Sequence, residues 1–228
     1  MSSENYTPAV NPLPPVVMAL VLFIIGIEIA FTLGARGLVG GPSAVGWRLD
    51  ALQSYSFSPD IFNWMIENGR WPFEHVIRFV TYPFVSGNFT QAVFVCVFLL
   101  AMGKMVAEVF GGFQMLVIFV LSGVGGALAY ALLLDPSYPL VGGFPPVYGL
   151  IGAFTWLLWR QLSLVGENQH RAFSLIAALM GIQLVFGLIF GGTSDWVADL
   201  GGFVTGFGLS FILAPGGWAR IVRRIRRD

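Results

Sequence analysis

Six stretches of this chain are long and apolar enough to be bilayer spans, and nothing else in the sequence constrains the fold as tightly. They run over residues 16–33, 88–109, 113–134, 146–165, 173–191 and 196–213. Each supplies the roughly 20 mostly apolar residues that a crossing requires. A soluble protein with a large core would interleave such runs with polar helix faces, and those faces are missing. Only 11% of the residues are charged and 56% are hydrophobic, against about 25% charged in soluble domains. The reading is an all-α membrane protein in which residues 15–213 form a six-helix bundle, flanked by a 1–14 tail and a basic 214–228 tail.

The cationic residues predict the orientation, because cytoplasmic segments carry an excess of Lys and Arg. With six spans, Lys104, Arg160, Arg171, Arg220, Arg223, Arg224, Arg226 and Arg227 share one side, whereas Arg36, Arg48, Arg70 and Arg78 share the other. Both termini are therefore expected in the cytoplasm, and a bacterial inner membrane is the expected location. The opening "MSSENYTPAVNPLPP" has no basic n-region and predicts no cleaved signal peptide. The tail "WARIVRRIRRD" spaces Trp218, Ile221, Val222 and Ile225 helically among arginines. Such a segment suits an anionic lipid surface, at about 1 kcal/mol per basic residue.

The one long connection, 35–77, is too long to be structureless. Within it "SPDIFNWMIENG" reads as a short helix over 59–68 lying in the membrane interface, with packing on the protein surface alone as the alternative. Ser58 is its N-cap, Pro59 its first residue and Gly69 its stop. Ile61, Phe62, Met65 and Ile66 are its expected apolar face, with Trp64 and Trp71 at the headgroup level. Small residues in "SGVGGALAYA" and "GGFVTGFG", including Gly202 and Gly206, predict close helix packing. Gly149 and Gly152 of the fourth span belong to the same class.

Charges at membrane depth are costly, so each is a candidate for function. They are Glu28 in the first span and Asp195 and Asp199, one turn apart at the start of the sixth, with Gln91 as a polar companion in the second. The chain has a single cysteine, Cys96, and its two histidines, His75 and His170, are expected on opposite sides of the membrane. No metal or cofactor is expected from such a set, since a zinc site needs three or four ligands. Neither a phosphate-cradling loop nor a nucleic-acid patch occurs, and no small-molecule substrate is indicated.

Four segments resemble the rhomboid superfamily in the right order, over roughly residues 76 to 213. "VIRFVTYPFVSGNFTQAVFVCVFLLAMGK" is similar to the stretch leading into the family's second span, and "VLSGVGGALAYALL" to its third. "VYGLIGAF" is similar to the sequence following the catalytic serine, and "DLGGFVTGFGLSFIL" to the span bearing the catalytic histidine. The resemblance implies a rhomboid-like bundle with a long interfacial first loop. It also places Phe144 at the nucleophile position, Pro145 at the following glycine and Asp199 at the base. The oxyanion-assisting histidine and asparagine fall on Gln91 and Val95. The family's tryptophan-arginine pair becomes Ile77-Arg78, and its Gly-Arg-x-x-Glu pattern is partly kept as Gly103-Lys104, with the acid at Glu108.

Phenylalanine has no atom that can attack a carbonyl, and a proline removes a backbone N–H that could serve as an oxyanion donor. The resemblance thus implies a pseudoprotease, catalytically inactive, that binds transmembrane helices of other membrane proteins in chaperoning, quality control or assembly. Asp199, Gln91, Phe144 and Tyr148 are the candidate partner-binding residues, with Gln91, then Tyr148, the expected hydrogen-bond partners of Asp199. Two other functions compete: a stoichiometric accessory subunit of a larger membrane complex, and a serine protease whose nucleophile has moved to Ser86, Thr90, Ser122, Thr193 or Ser194. Transport through Glu28 and Asp199 is a further alternative.

Overall fold

The computed structural model describes residues 12–134, 138–190 and 195–214. The basic C-terminal tail, Thr193 and Ser194 lie outside these described residues. The helices are α1 (Pro15–Ala35), α2 (Trp47–Tyr55), α3 (Pro59–Asn68), α4 (Phe73–Val76), α5 (Arg78–Thr81), α6 (Phe89–Phe110), α7 (Gly112–Leu133), α8 (Phe144–Val165), α9 (Ser174–Phe190) and α10 (Trp196–Leu213). Short 3₁₀ turns at Pro42–Gly46, Tyr82–Phe84 and Gln169–Phe173 complete the described helical segments.

Four of these helices, α1, α6, α7 and α10, are long and apolar enough to cross a membrane. Their composition is that of an integral, multi-pass membrane protein. The 22-residue α8 is as long as α6 and α7 but less apolar over its length, carrying Arg160 and Gln161 near its end. Its first half is almost entirely buried by protein, from Pro145 to Ala153, and so needs no lipid-facing hydrophobicity. The described part of α9 is 17 residues.

Local chemistry accounts for the helix boundaries. Asn88 caps α6 by accepting from the Gln91 backbone N–H at 2.9 Å. The α6–α7 connection is the single residue Gly111, whose φ of 94° would strain any side-chain-bearing residue. It turns two 22-residue helices back on one another. Helix α8 opens with prolines at its first positions, where a missing N–H has no intrahelical partner to lose.

The bundle is organised around α8, which contacts α6, α7 and α10, while α1 lies on α6. Glycines set its closest crossing, between α8 and α10. A β-carbon on Gly206 would overlap the backbone of Gly149, one on Gly202 the backbone of Pro145, and one on Gly152 the Phe203 carbonyl. These are the four glycines expected to pack helices, and they do so mainly on each other's helix. With no apolar driving force between helices in lipid, such backbone approach supplies the van der Waals contact that holds the pair. Helix α9 differs, making its broadest contact with the 169–173 turn.

The 35–77 connection folds onto the bundle. Phe57, Phe62, Met65, Phe79 and Tyr82 form a second apolar cluster with Ala127, Tyr130 and Ala131 of α7, Leu140 and Ala198. Helix α3 forms where expected, with Ser58 Oγ accepting from the Ile61 N–H at 3.4 Å and Gly69 closing it at φ 62°. Its expected apolar face divides. Phe62 and Met65 are buried and Ile61 packs beside them, but Ile66 is 50% exposed, on the outer side with Trp64. The positions that point at α7 are only part of the apolar set, and the remainder faces outward.

Arg78 ties this connection down, donating from Nη1 to the carbonyls of Gln53 at 3.0 Å and Ser56 at 3.2 Å. Phe57 and Leu140 exchange backbone hydrogen bonds at 3.1 and 2.8 Å, so the connection also pairs with the segment entering α8.

Candidate functional site

The segment entering α8 is held from three sides. From α6, Gln91 Nε2 donates to the Val141 carbonyl at 3.3 Å, and Gln91 Oε1 accepts from the Gly87 N–H at 2.8 Å. One turn along the same helix, Val95 is fully buried, and its Cγ1 would lie 2.8 Å from a β-carbon on Gly143. From the turn after α5, the Tyr82 carbonyl accepts from the Gly142 N–H at 3.1 Å. Gly142 has a φ of 85° and Gln91 Nε2 stands where its β-carbon would be. From α7 and α10, Gly126 sits between Pro145 and the Ala198 carbonyl, each within 2.7 Å of where its β-carbon would project. Phe144 follows Gly143 as the first residue of α8 and packs, half-buried, against the main core.

Gln91, Val95, Phe144, Pro145 and the α10 positions flanking Asp199 thus converge on the start of α8. Tyr82 completes the enclosure from a direction the sequence does not advertise. Its ring is wholly buried, and its hydroxyl donates to the Gly123 carbonyl of α7 at 2.8 Å. An aromatic residue in a Tyr-Pro turn carries no periodic pattern, so only its burial identifies it.

Asp199 is 2% exposed. Its partner corrects the expectation. Gln183 of α9 donates from Nε2 to Asp199 Oδ2 at 2.7 Å, whereas the amide of Gln91 is engaged by the loop at both ends. The reason is local: Gln91 stands one turn inside α6, level with 141–142, and Gly142 leaves the space its amide fills. Tyr148 is buried on α8 within electrostatic reach of Asp199, as is Tyr82. Gln183 is visible in the sequence as the polar residue amid the apolar "MGIQLVFG" run, which would have marked it as a candidate. Asp195, one turn earlier, is half-buried beside Tyr130 of α7.

Glu28, the remaining membrane-depth charge, is 4% exposed and belongs to a different place. Arg48 of α2 grips it with both guanidinium nitrogens, Nη1 donating to Oε2 at 3.0 Å and Nη2 to Oε1. The same Nη1 donates to the Ser86 carbonyl at 2.8 Å, and the guanidinium lies 5.2 Å from the Phe31 ring centre. This bidentate pair joins α1, α2 and the entry to α6. A carboxylate and guanidinium so matched are a structural clasp.

His75 lies edge-on to Trp64 and 3.8 Å from Glu74, in the 35–77 connection. His170 lies in the turn before α9. The hydroxyls of Ser86 and Ser122 are both buried without a hydrogen-bond partner. Lys104 and Glu108 pair along α6 at 3.9 Å. Among the described residues, no group of three or more His, Cys, Asp or Glu side chains could hold a metal ion.

The enclosure lies within a stretch with known relatives. The chain is 31% identical over 135 residues to rhomboid-like protease 3 of Toxoplasma gondii, a match covering 58% of this chain and 49% of the relative. The chain therefore spans about half the length of that curated relative. The family model of the rhomboid domain matches residues 74–216, from α4 to just past α10, and takes in every helix that closes on the start of α8. On that match, which covers more than half of its residues, the chain belongs to the rhomboid family.

Proposed function

We propose that this chain is a catalytically inactive rhomboid that crosses the membrane six times and binds transmembrane helices of other membrane proteins. The observation that carries the reading is the pair Phe144 and Asp199. They stand where the family resemblance puts nucleophile and base: Phe144 cannot attack, and Asp199 has nothing to activate. Phenylalanine supplies no nucleophilic atom, and Pro145 beside it has no N–H to give an oxyanion. The surroundings of α8 support this. Val95 and Gln91 fill the space facing Gly143 and Gly142, and prolines stiffen the helix entrance.

The six-span topology draws support from the arginine asymmetry and from helix lengths. Helix α8 is about 33 Å long, and the described part of α9 is about 26 Å, at about 1.5 Å per residue. These lengths compare with a hydrocarbon core of about 30 Å. The same asymmetry favours cytoplasmic termini; the membrane we propose is a bacterial inner membrane.

A fluorophosphonate probe tests the chemistry. The wild type and the Phe144→Ser variant are both expected to remain unlabelled, the variant because Asp199, engaged by Gln183, stands in place of the family's histidine base. Labelling of the wild type that one Ser→Ala change abolishes, at Ser86 or Ser122 for example, would show a relocated nucleophile. Purification in mild detergent tests the binding role. Many substoichiometric membrane proteins are expected to accompany the chain, and a single stoichiometric partner would make it a fixed subunit instead.

A further inference from the structure

We infer that the polar site shared by α9 and α10 recognises a basic side chain, lysine or arginine, carried within an apolar helix of another membrane protein. The inference rests on the client-binding reading and specifies its chemistry. Asp199 is almost fully buried, and one of its oxygens is engaged by Gln183 Nε2. The other end of that amide, Gln183 Oε1, is buried without a hydrogen-bond partner.

Asp199 and Gln183 Oε1 are thus acceptors with no cation paired to them among the described residues. The salt bridges of Glu28, Glu74, Glu108 and Glu167 all lie away from Asp199. An unmet buried acceptor costs free energy that a donor regains. In a low-dielectric setting, a cationic donor also gains Coulomb attraction to Asp199, which an apolar helix cannot supply and an acidic one reverses. A basic residue in a foreign apolar helix is itself in need of an acceptor at that depth.

The packing gives such a side chain its approach. Helix α10 is locked glycine to glycine on α8, whereas α9, which carries Gln183, makes its broadest contact with the 169–173 turn. The acceptors therefore lie where α10 meets α9, a helix whose Gly181 has nothing within 4 Å of where a β-carbon would project. Asp199 is the fourth residue of α10, which sets it about 5 Å from the helix start at about 1.5 Å per residue. The complementary basic residue belongs at the same shallow depth, about one turn inside the end of its helix.

Binding to the full chain in neutral bicelles tests the inference. Three fluorescent Leu/Ala helices are titrated, identical except for Lys, Leu or Glu at one position about a turn inside one end. The Lys helix is expected to bind about tenfold more tightly than the Leu helix, or about 1.4 kcal/mol, and the Glu helix more weakly than either. Asp199→Asn, which keeps the side chain's size and an acceptor for Gln183, is expected to erase most of that preference, so that the Lys and Leu helices bind about equally. Equal binding of Lys and Leu helices by the wild type would overturn the inference and leave client binding standing. Failure of all three helices to bind would count against client binding itself. A Lys preference that survives both Asp199→Asn and Gln183→Leu would put the cation elsewhere and overturn the assignment of this site.

Discussion

Replacing Gly206 by alanine is expected to loosen the bundle, although the added group is one methyl and alanine is the better helix former. The new β-carbon would sit 2.5 Å from the carbonyl carbon and 2.7 Å from the Cα of Gly149, with the carbonyl oxygen closer still. All three are backbone atoms of α8, so no side chain can swing aside, and α10 must move away. Overpacking of this kind costs about 1–3 kcal/mol. Gly208 is the internal control, because a β-carbon there meets nothing within 4 Å. Gly208→Ala should gain up to about 1 kcal/mol of helix propensity. The propensity gain is common to both variants, so they should differ by the overpacking cost, about 1–3 kcal/mol. At about 2–4 °C per kcal/mol, that is a gap of at least about 2 °C in apparent melting temperature. Melting in one detergent, followed by the exposure of the buried Cys96 to a thiol-reactive dye, would measure it. Equal melting temperatures for the two variants would refute the claim that α8 and α10 meet backbone to backbone.

Arg48→Ala strands the buried carboxylate of Glu28 and should destabilise the protein by about 2–4 kcal/mol, near the range for breaking a buried pair. The double variant Glu28→Gln with Arg48→Met should recover a large part of that loss in the same melting assay, and no recovery would mean that Arg48 acts through packing alone. Tyr82→Phe leaves the Gly123 carbonyl without its donor and should cost about 1–2 kcal/mol, with α7 amides near Gly123 exchanging hydrogen faster; unchanged exchange there would separate Tyr82 from α7. Reporter fusions at the C-terminus should report a cytoplasmic location, and an external reporter would reverse the topology.

The membrane class, the apolar runs and the helix α3 could be read from the sequence because each is a local property. A run of apolar residues is determined by adjacent positions, and Ser58, Pro59 and Gly69 cap a helix wherever it lies. The four packing glycines were also legible, since only small residues permit backbone contact, but which helix each one meets was not. Gln91 and Val95 could be assigned to the start of α8 through the family resemblance. The partners of the buried acids could not, because pairing depends on which helices lie side by side at one depth. Asp199 meets Gln183, 16 residues before it, and Glu28 meets Arg48, 20 residues after it. No periodicity links such positions. Only the crossing of α9 past α10, and of the 35–77 connection past α1, brings these groups within hydrogen-bond reach.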